Sequence, residues 1–411
     1  MATRRLFMDT RPLRQAPAFR RLWASNGLSA IGSRMTAFAV ALQIYTLTHS
    51  SAAVGAVGLA MAVPTIAIGL IGGSVADVVD RRTLVLVTRS CLAGVSGMFA
   101  AQAFLGLDQL WLLYFLVAIQ SLFNAAGAPA ARTFLPRLLP ADLVPAGAAL
   151  RMFTGHLSMT AGPSLAGLIA AVWSLKACYL IDAVSFAASL YGVIRLPAMP
   201  PLGTIAKPGV RAVRDGLRFV RGNRVIAGAL LADLSATVLG MPIALFPAIN
   251  AQHFGGAAQT LGLITAAPSV GGLVGSALSG PVGRVLRPGR AMLIAATVWG
   301  GGLAGFGLAG SLWLALLLLA AAGAADVLSV VFRTGIVQVL APDEYRGRVS
   351  AAEYIAGVGG PQLGNVRAGV IGSLTTPAIS AVSGGLATIA GAGVIALTLP
   401  AFTRYQANAP R

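Results

Sequence analysis

Acidic residues are scarce in this chain. Its 411 residues hold 12 Asp and Glu against 30 Lys and Arg, and only 10% of the sequence is charged. Soluble domains carry about 25% charged residues, so the composition excludes an ordinary water-soluble globule. Cysteine numbers 2 and histidine 3. Cys91 and Cys178 fall in separate apolar segments, and His49, His156 and His253 are scattered. Neither a disulfide nor a metal-ligand cluster is implied, and no cofactor is called for. No Gly-x-Ser-x-Gly, His-Glu-x-x-His or Gly-x-x-x-x-Gly-Lys-Ser/Thr occurs. An enzyme reading and ATP drive therefore have no signature to stand on. Aromatics make up 7% and are dispersed, so they mark no pocket.

Hydrocarbon is what the chain has in quantity, with 56% hydrophobic residues and a mean hydropathy of +0.80. A spanning helix needs ~20 apolar residues. Twelve blocks qualify, at roughly 19–46, 52–76, 84–107, 109–131, 144–171, 173–196, 225–249, 260–283, 290–309, 311–336, 348–373 and 375–400. The expected fold is an all-α membrane protein with twelve transmembrane helices, bathed in membrane lipids.

The net charge of +18 raises the question of nucleic acid, but the placement of the charges answers it. With the amino terminus inside and the segments alternating, every Lys and Arg except Arg34, Lys176 and Arg367 falls on cytoplasmic segments or helix ends. That asymmetry is the positive-inside rule and implies no nucleic-acid partner. Arg4, Arg5, Arg11, Arg14, Arg20 and Arg21 precede an apolar stretch too long for a signal h-region and without a clear small-residue cleavage site, so the first helix is expected to stay. The expected location is the inner (plasma) membrane, with both termini cytoplasmic.

A longer connection interrupts the middle. It opens with Pro197, Pro200 and Pro201 and continues through Lys207, Arg211, Arg214, Arg218, Arg221 and Arg224. Val210, Val213, Leu217 and Val220 recur within it at helical spacing, so 209–221 reads as a basic amphipathic helix on the inner leaflet. Around it the chain repeats. Arg132-Thr133, Pro140, Asp142 and Gly162-Pro163 return about 200 residues later as Arg333-Thr334, Pro342, Asp343 and Gly360-Pro361. The expected domains are a six-helix bundle over 1–196, a linker over 197–224 and a second six-helix bundle over 225–411.

Between the second and third blocks lies a charged turn with Gly73, Asp77, Asp80, Arg81 and Arg82. Two acids and two arginines at a membrane surface suit a latch made of charge pairs, while arginines there also suit plain topology marking; spacing leaves both open. A degenerate copy without acids follows the eighth block, at Gly280, Arg284, Arg287, Gly289 and Arg290. Inside the blocks sit Asn26, Arg34, Gln120, Asn124, Asp182, Asp233, Asp326 and Arg333. Ionisable groups within hydrocarbon cost at least ~2.5–3.5 kcal/mol at mid-span and are by default functional candidates with partners. An acidic partner is expected for Arg34, with Asp233 or Asp326 the candidates. Gln120 and Asn124, four residues apart on one face, suit hydrogen bonds between helices or the lining of a passage.

These landmarks resemble the major facilitator superfamily over the whole length. Gly73-x-x-x-Asp77-x-x-Asp80-Arg81-Arg82 is similar to its signature between helices 2 and 3, with Asp80 where many members have glycine. Pro17-Ala18-Phe19-Arg20, Leu47-Thr48-His49-Ser50, Leu245-Phe246-Pro247-Ala248 and Gly347-Arg348-Val349 resemble the enterobactin (siderophore) exporter-like branch. The resemblance implies two pseudo-symmetric six-helix bundles that rock around a central cavity. It also implies an inner gate at Gly73, Asp77 and Arg81, and an antiporter-like motif at Gly162, Pro163 and Gly167, with Ala166 where exporters carry glycine. The function expected is secondary-active, proton-coupled export of an amphiphilic small molecule of siderophore type, by a monomer. The alternatives are a multidrug efflux antiporter and, remotely, a non-transporting membrane sensor.

Overall fold

The computed structural model describes residues 9–71, 79–200, 210–277 and 285–407. Among them, long helices follow one another with short connections: α1 (Pro17–Thr48), α2 (Ser51–Ile71), α3 (Arg81–Leu105), α4 (Leu110–Arg132), α5 (Val144–Val172) and α6 (Leu175–Ile194). After the linker come α7 (Val210–Gly222), α8 (Arg224–Gly240), α9 (Phe246–His253), α10 (Ala258–Ala277), α11 (Pro288–Leu308), α12 (Leu312–Leu340), α13 (Asp343–Leu374) and α14 (Pro377–Thr398). No strand occurs among the described residues.

Local chemistry sets the ends. Asp80, Asn223, Ser311 and Thr376 cap the starts of α3, α8, α12 and α14, each side chain accepting from a backbone N–H of the first turn. Gly106 closes α3 in the left-handed conformation, φ 63°. The seventh apolar block, expected as one helix over 225–249, is broken into α8, a 3₁₀ turn over Ile243–Leu245 and α9. Pro242 and Pro247 lack the N–H a continuous helix needs there.

Among the described residues, ten stretches are long and apolar enough to cross a membrane, α8 to α9 counting as one. Helices α5 and α13 are not among them. Both carry polar residues along their length: Arg151 and His156 in α5, Glu353 and Arg367 in α13.

By contact the chain forms two units, Met1–Val40 with Ala67–Lys207, and Ala41–Ile66 with Pro208–Arg411. In the first, α3 packs on α6, with Phe99 and Tyr179 stacked 5.7 Å apart, both fully buried. In the second, α10 packs on α12 so closely that a side chain at Gly271 or Gly323 would strike the facing backbone. The start of α2 belongs to this unit and packs on α13. Ser50 Oγ lies 3.3 Å from Ser373 Oγ, and the Ala52 N–H donates to Ser373 Oγ at 2.8 Å.

Helix α7 forms where the amphipathic pattern places it, but it does not lie on lipid alone. Phe219 stacks on Tyr345 of α13 at 4.5 Å, and Val220 is buried with Ile226, Leu230, Val337 and Val349. Arg214, Leu217 and Arg218 remain exposed.

Candidate transport site

Gly73 and Asp77 of the charged turn, like Gly280 and Arg284 of its degenerate copy, lie outside the described residues. Asp80 does not pair with an arginine side chain there. Its Oδ1 accepts from the N–H and hydroxyl of Thr83, and its Oδ2 accepts from the Met199 N–H at 2.7 Å. Arg81 N–H donates to the Met199 carbonyl at 3.0 Å, and Arg82 Nη2 to the Ile194 carbonyl at 2.5 Å. The turn is thus clasped to the backbone of the chain leaving α6. Burial alone would raise the Asp80 carboxyl, but the amides of Thr83 and Met199 outweigh it and hold it below the usual carboxylate range.

Asp182 of α6 is fully buried and takes hydroxyls from two other helices. Thr36 and Ser33 of α1 donate at 2.8 and 3.4 Å, and Ser96 of α3 donates at 2.6 Å. Gly32 makes the approach possible, because a β-carbon there would sit 2.7 Å from Asp182 Oδ1. This is a three-helix polar knot that satisfies an acid without a cation.

Arg34 of α1 is exposed, and the acidic partner expected for it is absent among the described residues. Its stem packs against Gly162 of α5, where a side chain would collide with the Arg34 β-carbon. Pro163 and Gly167 are buried beside it. The matching pair in the second half is Gly360 of α13, where a β-carbon would meet Thr237 Oγ1 of α8 at 2.5 Å. Asn26 is half-buried, with its Oδ1 lacking a partner among the described residues. Gln120 is half-buried, whereas Asn124 is exposed and lines a cavity between α3, α4 and α5.

The second unit holds the densest charge. Asp233 of α8, expected as a partner for Arg34, forms its ion pair with Arg333 of α12. Arg333 Nε stands 4.0 Å from Glu353 Oε1 on α13 and has no hydrogen-bond acceptor among the described residues. Asp326, half-buried two turns back on α12, lies within electrostatic reach of both Asp233 and Arg333. Three acids therefore face one guanidinium inside three helices.

Sequence reasoning singled out Asp233, Asp326 and Arg333 but gave Glu353 no role; its signal was an acid ten residues inside a long helix that begins polar and turns apolar. It also filed Arg89 and Arg151 as topology charges, although each lies two turns inside its helix.

Ten helical stretches able to cross a membrane among the described residues define a polytopic membrane protein. It belongs to the transmembrane secretion effector family of the major facilitator superfamily, whose family model matches residues 9–410. The chain is similar to the enterobactin exporter EntS of Escherichia coli O1:K1 / APEC, at 25% identity over 401 residues, 97% of this chain and 96% of that protein. Its similarity to the Citrobacter koseri enterobactin exporter EntS is 26% over 400 residues, 97% and 95% of the two chains. Among solved structures it resembles the nucleoside transporter NupG, with a TM-score of 0.74, 14% identity and coverage of 94% and 99%. A bacterial homologue of the iron transporter ferroportin in an inward-facing state gives a TM-score of 0.69, 15% identity and coverage of 94% and 99%. At those identities the structures speak for the fold. The protein is a multi-pass membrane transporter of a small-molecule substrate, not an enzyme.

Proposed function

We propose that the protein exports an amphiphilic, siderophore-type molecule across the inner membrane by alternating access, in exchange for protons. The observation that carries the coupling is the cluster of Asp233, Asp326 and Glu353 around Arg333. One guanidinium faces three carboxylates there, leaving net negative charge in a low-dielectric interior that a proton would offset. Protonation of Asp233 weakens its pair with Arg333, and Glu353 is placed to take the guanidinium over. Moving a two-state protein from 1:99 to 99:1 takes about 5.5 kcal/mol, the scale against which this exchange of partners at Arg333 is set.

The substrate class rests on the relatives named as enterobactin exporters. Exposed Arg34 suits an anionic or catecholate group. The test is enterobactin transport by the purified protein in liposomes under an imposed pH gradient. Transport that stops when a protonophore collapses the gradient supports the reading. Transport indifferent to the protonophore overturns proton exchange, and no enterobactin flux overturns the substrate.

A further inference from the structure

Arg89, Arg132 and Arg151 converge on one cavity of about 270 Å³ in the first unit, and no acid among the described residues lines it. Arg89 comes from the third turn of α3, Arg132 from the last residue of α4 and Arg151 from the second turn of α5. The antiparallel course of α3, α4 and α5 brings these three helix ends to the same end of the unit. Asn124 adds an amide and Phe123 an aromatic wall. Gly127 lets α4 close on α3 here, since a β-carbon would come within 2.6 Å of Thr88 Oγ1.

Topology marking explains arginines at a membrane surface, but it does not explain three of them sharing one concave space. Guanidinium groups so placed repel one another, and neither Arg89 nor Arg151 has a hydrogen bond or ion pair among the described residues. Their planar forks match oxyanions bidentately. Pockets for drug-sized ligands measure ~300–1,000 Å³, so this cavity suits an anionic arm rather than a whole amphiphile.

We propose that the cavity between α3, α4 and α5 binds an oxyanion group, a carboxylate, catecholate or phosphate, through Arg89, Arg132 and Arg151. The exporter reading supplies one source of that group, the transported molecule; an anionic lipid headgroup is the other. The inference deepens the exporter reading only in that first choice.

The test is equilibrium binding to the full chain in phosphatidylcholine nanodiscs, with 2,3-dihydroxybenzoate and inorganic phosphate as probes and neutral catechol as control. A second arm repeats it in nanodiscs containing phosphatidylglycerol. The expected result is saturable binding of an anionic probe that falls about tenfold or more in Arg89→Gln and in Arg151→Gln, and less in Arg89→Lys, which keeps the charge but loses the fork. Neutral catechol should bind at least tenfold more weakly than the benzoate. Competition by phosphatidylglycerol, lost in the same variants, assigns the site to a lipid headgroup with the chemistry intact. Equal binding by wild type and both Gln variants overturns the proposal, as does the absence of binding by every anion including the lipid. Because nothing is transported in this assay, a failure of enterobactin flux and a failure of the anion site read out separately.

Discussion

Gly162 on α5 packs face to face with the β-carbon of Arg34 on α1. The contact ties the antiporter-like Gly-Pro pair to the one mid-helix arginine of α1. It also has a counterpart, Gly360 against Thr237, between α13 and α8. Gly162→Ala should separate α1 from α5 and shift Arg34. Overpacking of this kind costs about 1–3 kcal/mol, so the variant should melt lower and lose most transport. A Gly162→Ala protein with unchanged melting temperature and flux contradicts the contact.

Asp182 presents a contrasting case. Its carboxylate is spent on Ser33, Thr36 and Ser96, which favours a structural role. Asp182→Ala leaves buried hydroxyls short of an acceptor and should cost about 1–3 kcal/mol, read as a lower melting temperature in detergent. Asp182→Asn should keep gradient-driven transport. Loss of proton dependence in Asp182→Asn would make Asp182 a proton carrier instead.

How much of this was legible in the sequence depends on the kind of interaction. The helices were, because hydrocarbon length sets them; the break at Pro242 was not, because the apolar run continues through it. The partners of Asp182 were not: serine and threonine are common in spanning helices and usually satisfy themselves on their own backbone, so spacing does not announce a shared acceptor. Arg34 misled for a related reason. Charge complementarity suggested Asp233, but packing gave Asp233 to Arg333 on α12. Arg89 and Arg151 looked like positive-inside charges because a cavity is a tertiary object, invisible to a one-dimensional count.

The Asp80 clasp has a pH signature. Its carboxyl is held below the usual range by the Thr83 and Met199 amides. A depressed native value means the stabilisation is complete above the unfolded pKa, ~3.9, and is lost as pH falls through the lower native one. Hydrogen exchange at the Met199 amide should therefore stay protected from neutral pH down to about pH 4 and give way only in stronger acid. Asp80→Ala, which removes the acceptor, should expose it already at neutral pH. Equal protection in wild type and Asp80→Ala would contradict the clasp.

At the opposite end of α2, Ser50 and Ser373 meet at 3.3 Å, and the Ala52 N–H bonds Ser373. If the path opens at this end during transport, the two must part. Ser50→Cys with Ser373→Cys, in a background carrying Cys91→Ser and Cys178→Ser, should cross-link under mild oxidant and stop transport until reduced. Free transport by the cross-linked protein would show that this contact is not a gate.

The central claim is that protons act through the carboxylates facing Arg333. The most direct measurement compares gradient-driven enterobactin uptake with counterflow, which needs no proton movement, in liposomes bearing wild type, Asp233→Asn or Asp326→Asn. At least one variant should retain counterflow while gradient-driven uptake falls by tenfold or more, about 1.4 kcal/mol of lost coupling. Both variants driving uptake at the wild-type rate would contradict the account.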